Sequence, residues 1–324
     1  MALASTLADQ VAVEKLGEGE YVARSFPFPM GNTKPIAYGG CALGVAVNAA
    51  CLTAPPNMSL YSVLGHFHGP ASIDNKFYCS VANTRDTRSF ATRRVQVKQK
   101  TPDGQFRVRL ELLADFHVKE PSDFVYSEPP RSPWPRPQDC PDLEGLVDGF
   151  LQDGMIGNRQ SKMLIKEYGA MSHLFEVRQC TGGVSAQNLS GALKDVVTTQ
   201  DGRSITDKIS AEWQRSVKPL PSQPDHMGAL AFAMDSGLSF LPLSHNHMWF
   251  DDAAACSTLD FALRIFVPEV KVDEWHVKER RTLRAGSGRT FSESKLWDEH
   301  GNLVASNTQQ CIMRIKEGVS IPKL

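Results

Sequence analysis

The chain has 324 residues, of which 41% are apolar and 22% charged, and its formal net charge is -1. That length fits two domains or one large one, and the composition is that of an ordinary soluble globular protein. A near-neutral chain lacks the basic footprint of a nucleic-acid binder, and no apolar run reaches the roughly 18–20 residues that span a bilayer.

Seven cysteines (Cys41, Cys51, Cys79, Cys140, Cys180, Cys256 and Cys311) are scattered without a C-x-x-C pair. An odd, dispersed set in a chain this long reads as reduced thiols, with Cys41 and Cys51 as small core residues of a helix. There is no H-E-x-x-H, and the histidines at 245–247 have no paired cysteines at finger spacing, so no metal is expected. The first twenty residues carry acids early and no basic stretch before an apolar one, unlike a secretory leader. Pro322-Lys323-Leu324 resembles the S-K-L peroxisomal address with Pro in place of Ser. A peroxisomal location is expected on that tripeptide, and a cytoplasmic one without it.

In chain order, residues 38–51 are rich in Ala and Gly and almost uncharged, which predicts a helix buried on most faces and stopped by Pro55-Pro56. Strand-like runs follow at 60–68, 76–83, 89–98 and 106–118, the last two joined by a turn at Pro102-Asp103-Gly104. Seven prolines then mark 121–141 as an extended linker. Beyond it the order recurs. A second Ala-rich stretch at 226–238 precedes strands at 247–250, 258–267, 275–283, 290–298 and 303–315, with a turn at Glu299-His300-Gly301-Asn302.

The repeat is visible in letters: Arg85-Asp86-Thr87-Arg88-Ser89-Phe90 is echoed by Arg284-Ala285-Gly286-Ser287-Gly288-Arg289-Thr290-Phe291. One buried helix followed by a meander, occurring twice, argues for a duplicated α+β unit. A helix wrapped by an antiparallel sheet is a hotdog, and two in one chain make a double hotdog. Its units are expected at 1–120 and 142–324 around the 121–141 linker, with their sheets paired edge to edge.

Several segments then carry a family resemblance. Tyr38-Gly39-Gly40 resembles an aromatic-Gly-Gly helix entry. Arg85-Asp86 with Ser89-Phe90-Ala91-Thr92-Arg93-Arg94-Val95 resembles R-D-G-x-S-F-x-x-R-x-V. Met248-Trp249-Phe250 is similar to M-W-F-H, and Leu303-Val304-Ala305-Ser306-Asn307-Thr308-Gln309 to L-V-A-S-x-x-Q. Together, and in this order, they resemble the acyl-CoA thioesterase II family over about 30–118 and 225–316, with little to match in 119–224.

The resemblance implies hydrolysis of an acyl-CoA, without metal or organic cofactor, by a water that an Asp, a Thr or Ser, and a Gln position between them. The matching residues are Asp235, Ser244 and Gln309. Ser244 takes the hydroxyl place only with one deletion before Met248; without it, Leu243 falls there. Independently of the resemblance, a carboxylate can take a proton from a water attacking a thioester carbonyl, and hydroxyl and amide partners can hold that water. Gly39 and Gly40, at a helix entrance where N–H groups point outward, are candidates for the oxyanion, with the second entrance near His226 to Gly228 as the competing location.

Two other functional readings stay open. His66, His68 and His247 could serve with Asp235 as acid–base groups of a dehydratase, hydratase or C–C bond enzyme on a biosynthetic, polyketide-type thioester. The competing reading places His66 and His68 on the outer face of their strand. The chain could also bind an acyl-CoA without turning it over. Arg93, Arg94, Arg107 and Arg109 could meet coenzyme A phosphates, or form solvated strand faces. The expected partners are an acyl-CoA or acyl-carrier thioester and, as the resemblance implies, further copies of the chain.

Overall fold

The computed structural model describes residues 4–30 and 35–321; Pro322-Lys323-Leu324, which carried the peroxisomal expectation, lies outside them. The first half opens with α1 (Leu7–Val11), β1 (Val13–Gly17) and β2 (Glu20–Ala23). Then come α2 (Gly39–Thr53), β3 (Met58–Phe67), β4 (Tyr78–Asp86), β5 (Phe90–Lys100) and β6 (Phe106–Val118). After the linker follow α3 (Leu143–Gln152), α4 (Asn158–Tyr168), β7 (Phe175–Gln179), α5 (Val184–Gln187), β8 (Ser210–Ser216), α6 (Gln223–Met234) and α7 (Leu241–His245). The second meander is β9 (Ala253–Ile265), β10 (His276–Gly286), β11 (Arg289–Asp298) and β12 (Leu303–Ile315).

All strands join one antiparallel sheet in the order β1-β2-β4-β5-β6-β3-β9-β12-β11-β10-β8-β7. Outward from the centre, β3-β6-β5-β4 on one side is mirrored by β9-β12-β11-β10 on the other. The joint is β3 against β9, from Ser62 opposite Arg264 to His66 opposite Asp260. It turns what would be two exposed strand edges into a continuous ladder.

Inside the curve of the sheet lie α2 and α6, antiparallel and nearly touching. Their small residues allow it. A Cβ on Gly228 would stand 2.9 Å from the Gly44 carbonyl oxygen. At one end of the pair Asn48 donates to Asp225 at 3.0 Å, and at the other the Tyr38 hydroxyl donates to the Phe232 carbonyl at 2.6 Å. Leu43, Val45 and Val47 are buried here, each contributing about 1.5–3 kcal/mol by leaving water. Arg93 is also buried: Nη2 donates to the Thr53 carbonyl at the end of α2 at 2.9 Å, and Nη1 pairs with Asp86 at 2.7 Å. It therefore closes a helix end and is not placed to meet coenzyme A phosphates.

The linker segment is strapped to the second half. Trp297 Nε1 donates to the Glu128 carbonyl at 2.7 Å, Trp213 Nε1 to the Pro135 carbonyl at 2.8 Å, and Trp134 Nε1 to Glu279 at 2.9 Å. Since alternate strand residues point to opposite faces, β10 presents Val277 and Glu279 to this strap and Lys278 and Arg280 to α6.

Two expectations need correction. The second helix ends at Met234, with Asp235 as its C-cap, because Gly237 takes a left-handed φ of +84° and turns the chain. Residues 247–250 are not a strand. Pro242 opens the helix α7, the Asn246 side chain donates to the Pro242 carbonyl at 2.7 Å, and His247 has φ +55°, which a strand does not accommodate.

The close helix crossing yields a test. A Cβ on Gly44 would meet Val11 Cγ1 at 2.9 Å and the Gly228 carbonyl oxygen at 3.1 Å. Gly44→Val should therefore destabilise the fold by about 2–3 kcal/mol, read as a lower denaturant midpoint. An unchanged midpoint would mean the helices are free to move apart.

Candidate active site

The end of α6 would be left with unsatisfied carbonyls in an apolar interior. Three other elements supply the donors. Tyr38, the N-cap of α2, serves Phe232, Lys278 of β10 serves Ala233 at 3.2 Å, and Asn307 of β12 serves Met234 at 2.9 Å. The residue that follows is Asp235, buried, with its position set by these contacts.

Gln309 Nε2 donates to Asp235 Oδ1 at 2.7 Å, and Thr258 Oγ1 donates to Gln309 Oε1 at 3.2 Å. The Gly40 backbone N–H, in the first turn of α2, also favours the ionised carboxylate. A Cβ on Gly39 would lie 2.8 Å from Asp235 Oδ2 and 3.1 Å from Phe67 Cζ, so the approach of helix entry to carboxylate requires glycine there. Phe67 and Phe261, with ring centroids 5.7 Å apart, supply apolar surface beside this point.

Burial pushes the Asp235 carboxyl up to about 6, opposed by the Gln309 and Gly40 hydrogen bonds and by the Lys278 charge. The neighbouring groups on α2 are neutral: burial raises Tyr38 well above its ordinary range and Cys41 to about 12. Cys311 on β12, 3.9 Å from Thr258 Oγ1, is raised as well, again by burial. The result is one carboxylate able to exchange a proton near neutral pH, with an amide and a hydroxyl in line beside it and the N-terminal turn of a helix facing it.

Of the residues singled out in the sequence, Asp235, Gln309, Gly39 and Gly40 come together. Ser244 does not. It is buried on α7, where it bonds Asn188 Oδ1 at 3.2 Å and Ser185 Oγ at 3.1 Å, and Leu243 beside it is a core residue. The hydroxyl beside Gln309 belongs to Thr258. A bulge hides it: Gln310 pairs with Asp260 and Cys311 with Thr258, which leaves Leu259 over as an extra residue. That extra residue reverses the alternation, so Thr258 shares a face with Phe261 and Leu263 despite its odd spacing from them. The available signal was a hydroxyl residue at the start of a strand read as 258–267.

The histidines are elsewhere. His66 and His68 are exposed, His66 opposite Asp260 in the ladder, as the outer-face reading had it. His247 Nε2 pairs with Asp201 at 2.8 Å. His226, at the entrance of α6, accepts from the Val272 backbone at 3.1 Å; that entrance lies at the far end of the helix pair from Asp235 and does not compete for the oxyanion role. Arg94 is exposed and paired with Glu111 at 2.7 Å. Among the described residues no group of three or more His, Cys, Asp or Glu could hold a metal ion, and no helix is long and apolar enough to cross a membrane.

Comparison with known proteins gives the family. Residues 26–117 match the acyl-CoA thioesterase N-terminal domain, and residues 172–313 match the acyl-CoA thioesterase C-terminal domain. Acyl-coenzyme A thioesterase 8 of Mus musculus is 25% identical over 316 residues, covering 96% of this chain and 90% of that protein. The acyl-CoA thioesterase II TesB2 of Mycobacterium marinum superposes with a TM-score of 0.66 at 21% identity, over 97% of this chain and 100% of its own. A hot dog fold protein of Alicyclobacillus acidocaldarius gives 0.66 at 16% identity, over 96% and 98%. These superpositions show the hotdog fold. The two domain matches, in order and over most of the chain, go further: the chain belongs to the acyl-CoA thioesterase family.

Proposed function

We propose that the chain hydrolyses an acyl-CoA to the free acid and CoA, with Asp235 as general base for a water that Thr258 and Gln309 orient. The observation that carries this reading is the hydrogen-bonded line from Thr258 to the buried Gln309 and Asp235, facing the first turn of α2 in a member of a thioesterase family. Ionised Asp235 takes a proton as the water oxygen attacks the thioester carbonyl. Negative charge gathers on the carbonyl oxygen, and the N-terminal turn of α2 at Gly39 and Gly40 is the local source of positive potential for it. Collapse breaks the C–S bond, and the sulfur leaves as the thiol, with the proton returned from Asp235.

The dehydratase or C–C bond reading would need His66, His68 or His247 beside Asp235, and their positions give it no support. Simple binding of an acyl-CoA remains the alternative that turnover assays decide.

Asp235→Asn should lower kcat by about a thousandfold with little change in KM, followed as thiol release from acyl-CoAs of short to long chain. Undiminished turnover by that variant would sink the proposal. Thr258→Val should cost about tenfold, the loss of one orienting hydrogen bond, while Ser244→Ala should stay within about twofold. The reverse ranking would return the hydroxyl role to Ser244. For the wild type, kcat/KM should fall as pH drops below about 6, where Asp235 takes up its proton.

Stability has the opposite sense. The folded value near 6 exceeds the ordinary 3.8, so the contribution of the protonated carboxyl is complete below 3.8 and lost as pH rises through about 6. Asp235→Asn should therefore melt higher than wild type at pH 8, with the gap closing toward pH 4. A variant less stable than wild type at pH 8 would show that the ionised carboxylate is well compensated.

A further inference from the structure

Lys278 is fully buried on β10, and its ammonium group has three partners. It donates to the Ala233 carbonyl at 3.2 Å and to Ser236 Oγ at 2.5 Å, and it pairs with Glu212 Oε1 at 3.1 Å. Ala233 and Ser236 bracket Asp235 in the chain. Two residues along the same strand face, Arg280 fills the space beneath the turn: its Nη1 lies where a Cβ on Gly237 would be. Its Nη2 donates to Glu212 Oε2 at 2.9 Å. Glu212, opposite Lys278 on β8, thus has each carboxylate oxygen on a different cation.

Capping a helix end does not explain a buried charge. Tyr38 and Asn307 serve the adjacent carbonyls with neutral donors, and taking an ammonium out of water costs several kcal/mol. The charge count does explain it. Two cations and one carboxylate leave a surplus of one positive charge, next to a buried carboxylate whose other neighbours, Tyr38 and Cys41 on α2, Thr258 on β9, and Gln309 and Cys311 on β12, are neutral. Burial draws the Lys278 ammonium below its ordinary value and Glu212 opposes that; Glu212, despite its own burial, is held down to about 2 by Arg280 and Lys278.

We infer that Lys278 is a positioning residue for Asp235: it grips both sides of the turn that carries the carboxylate, and the surplus charge of the Glu212–Lys278–Arg280 network keeps that carboxylate ionised. This rests on the reading of Asp235 as general base, but the charge coupling can be measured without turnover. The direct probe is the carboxyl 13C resonance of Asp235 in protein labelled at aspartate, assigned by its absence from Asp235→Asn and titrated against pH.

Lys278→Gln keeps a donor toward Ala233 and removes the charge; the Asp235 midpoint should rise by about one pH unit. Glu212→Gln keeps the shape, increases the surplus, and should lower the midpoint by a comparable amount. In active protein the acid limb of kcat/KM should move with the resonance in both variants, while KM changes by less than about threefold. Midpoints that stay at the wild-type value, or that move in the same direction in both variants, would overturn the inference and reduce Lys278 to a structural cap. If Lys278→Gln does not fold, Glu212→Gln decides alone: a lower midpoint supports the coupling, and an unchanged or higher one refutes it. Wild-type protein that releases no thiol from any acyl-CoA would refute the hydrolytic reading while leaving the titration to judge the network.

Discussion

A carboxylate buried at the end of an apolar helix is the constraint around which the rest of this molecule is arranged. Taken alone, Asp235 would be costly, since an ion in a low-dielectric interior loses its hydration. The surroundings return part of that loss with an amide from Gln309, an N–H from Gly40 and the field of a buried lysine. The return is incomplete, because the carboxyl still sits near 6 instead of 3.8. For the proposed hydrolysis that shortfall is useful: a base that protonates just below neutral pH is strong enough to take a proton from water and weak enough to give it back.

No single unit of the duplicated fold could build this site. Asp235, Thr258 and Gln309 come from the second half, while Gly39 and Gly40, whose helix entry faces the carboxylate, come from the first. The antiparallel crossing of α2 and α6 makes the meeting geometrically necessary, for it lays the start of one helix against the end of the other. Gly44 and Gly228 set how near they can lie. The β3–β9 ladder holds the two halves in register, so the strand joint and the helix crossing together fix the distance between helix entry and carboxylate.

The second half is also the more heavily buttressed. Its strand β10 carries charged residues on one face, toward α6, and the tryptophan-pinned linker on the other. Burial on both faces of β10 leaves Lys278 and Arg280 little freedom to rearrange, which is what a fixed electrostatic environment requires. The corresponding strand of the first half, β4, ends in exposed residues, and its Asp86 pairs with the buried Arg93 of β5.

Much of this was legible in the sequence because it depends on local pattern. Two Ala- and Gly-rich helices, each followed by a meander, were readable from apolar runs and turn residues, and Asp235 stood out as an acid in an otherwise apolar segment. Gln309, Gly39 and Gly40 were found through family-like segments. The strand misplaced at 247–250 and the unmatched β7 and β8 mark where pattern failed, since a proline-opened short turn and brief strands of mixed polarity carry no clear period. The Thr258–Gln309 contact, the contacts among Lys278, Arg280 and Glu212, and the positions of the histidines are visible only in three dimensions. A single bulge at Leu259 reverses which side chains face inward, and a charge on one strand finds its partners on strands and helices tens of residues away. Sequence determines which residues can be buried; the pairing of distant elements determines which of them meet.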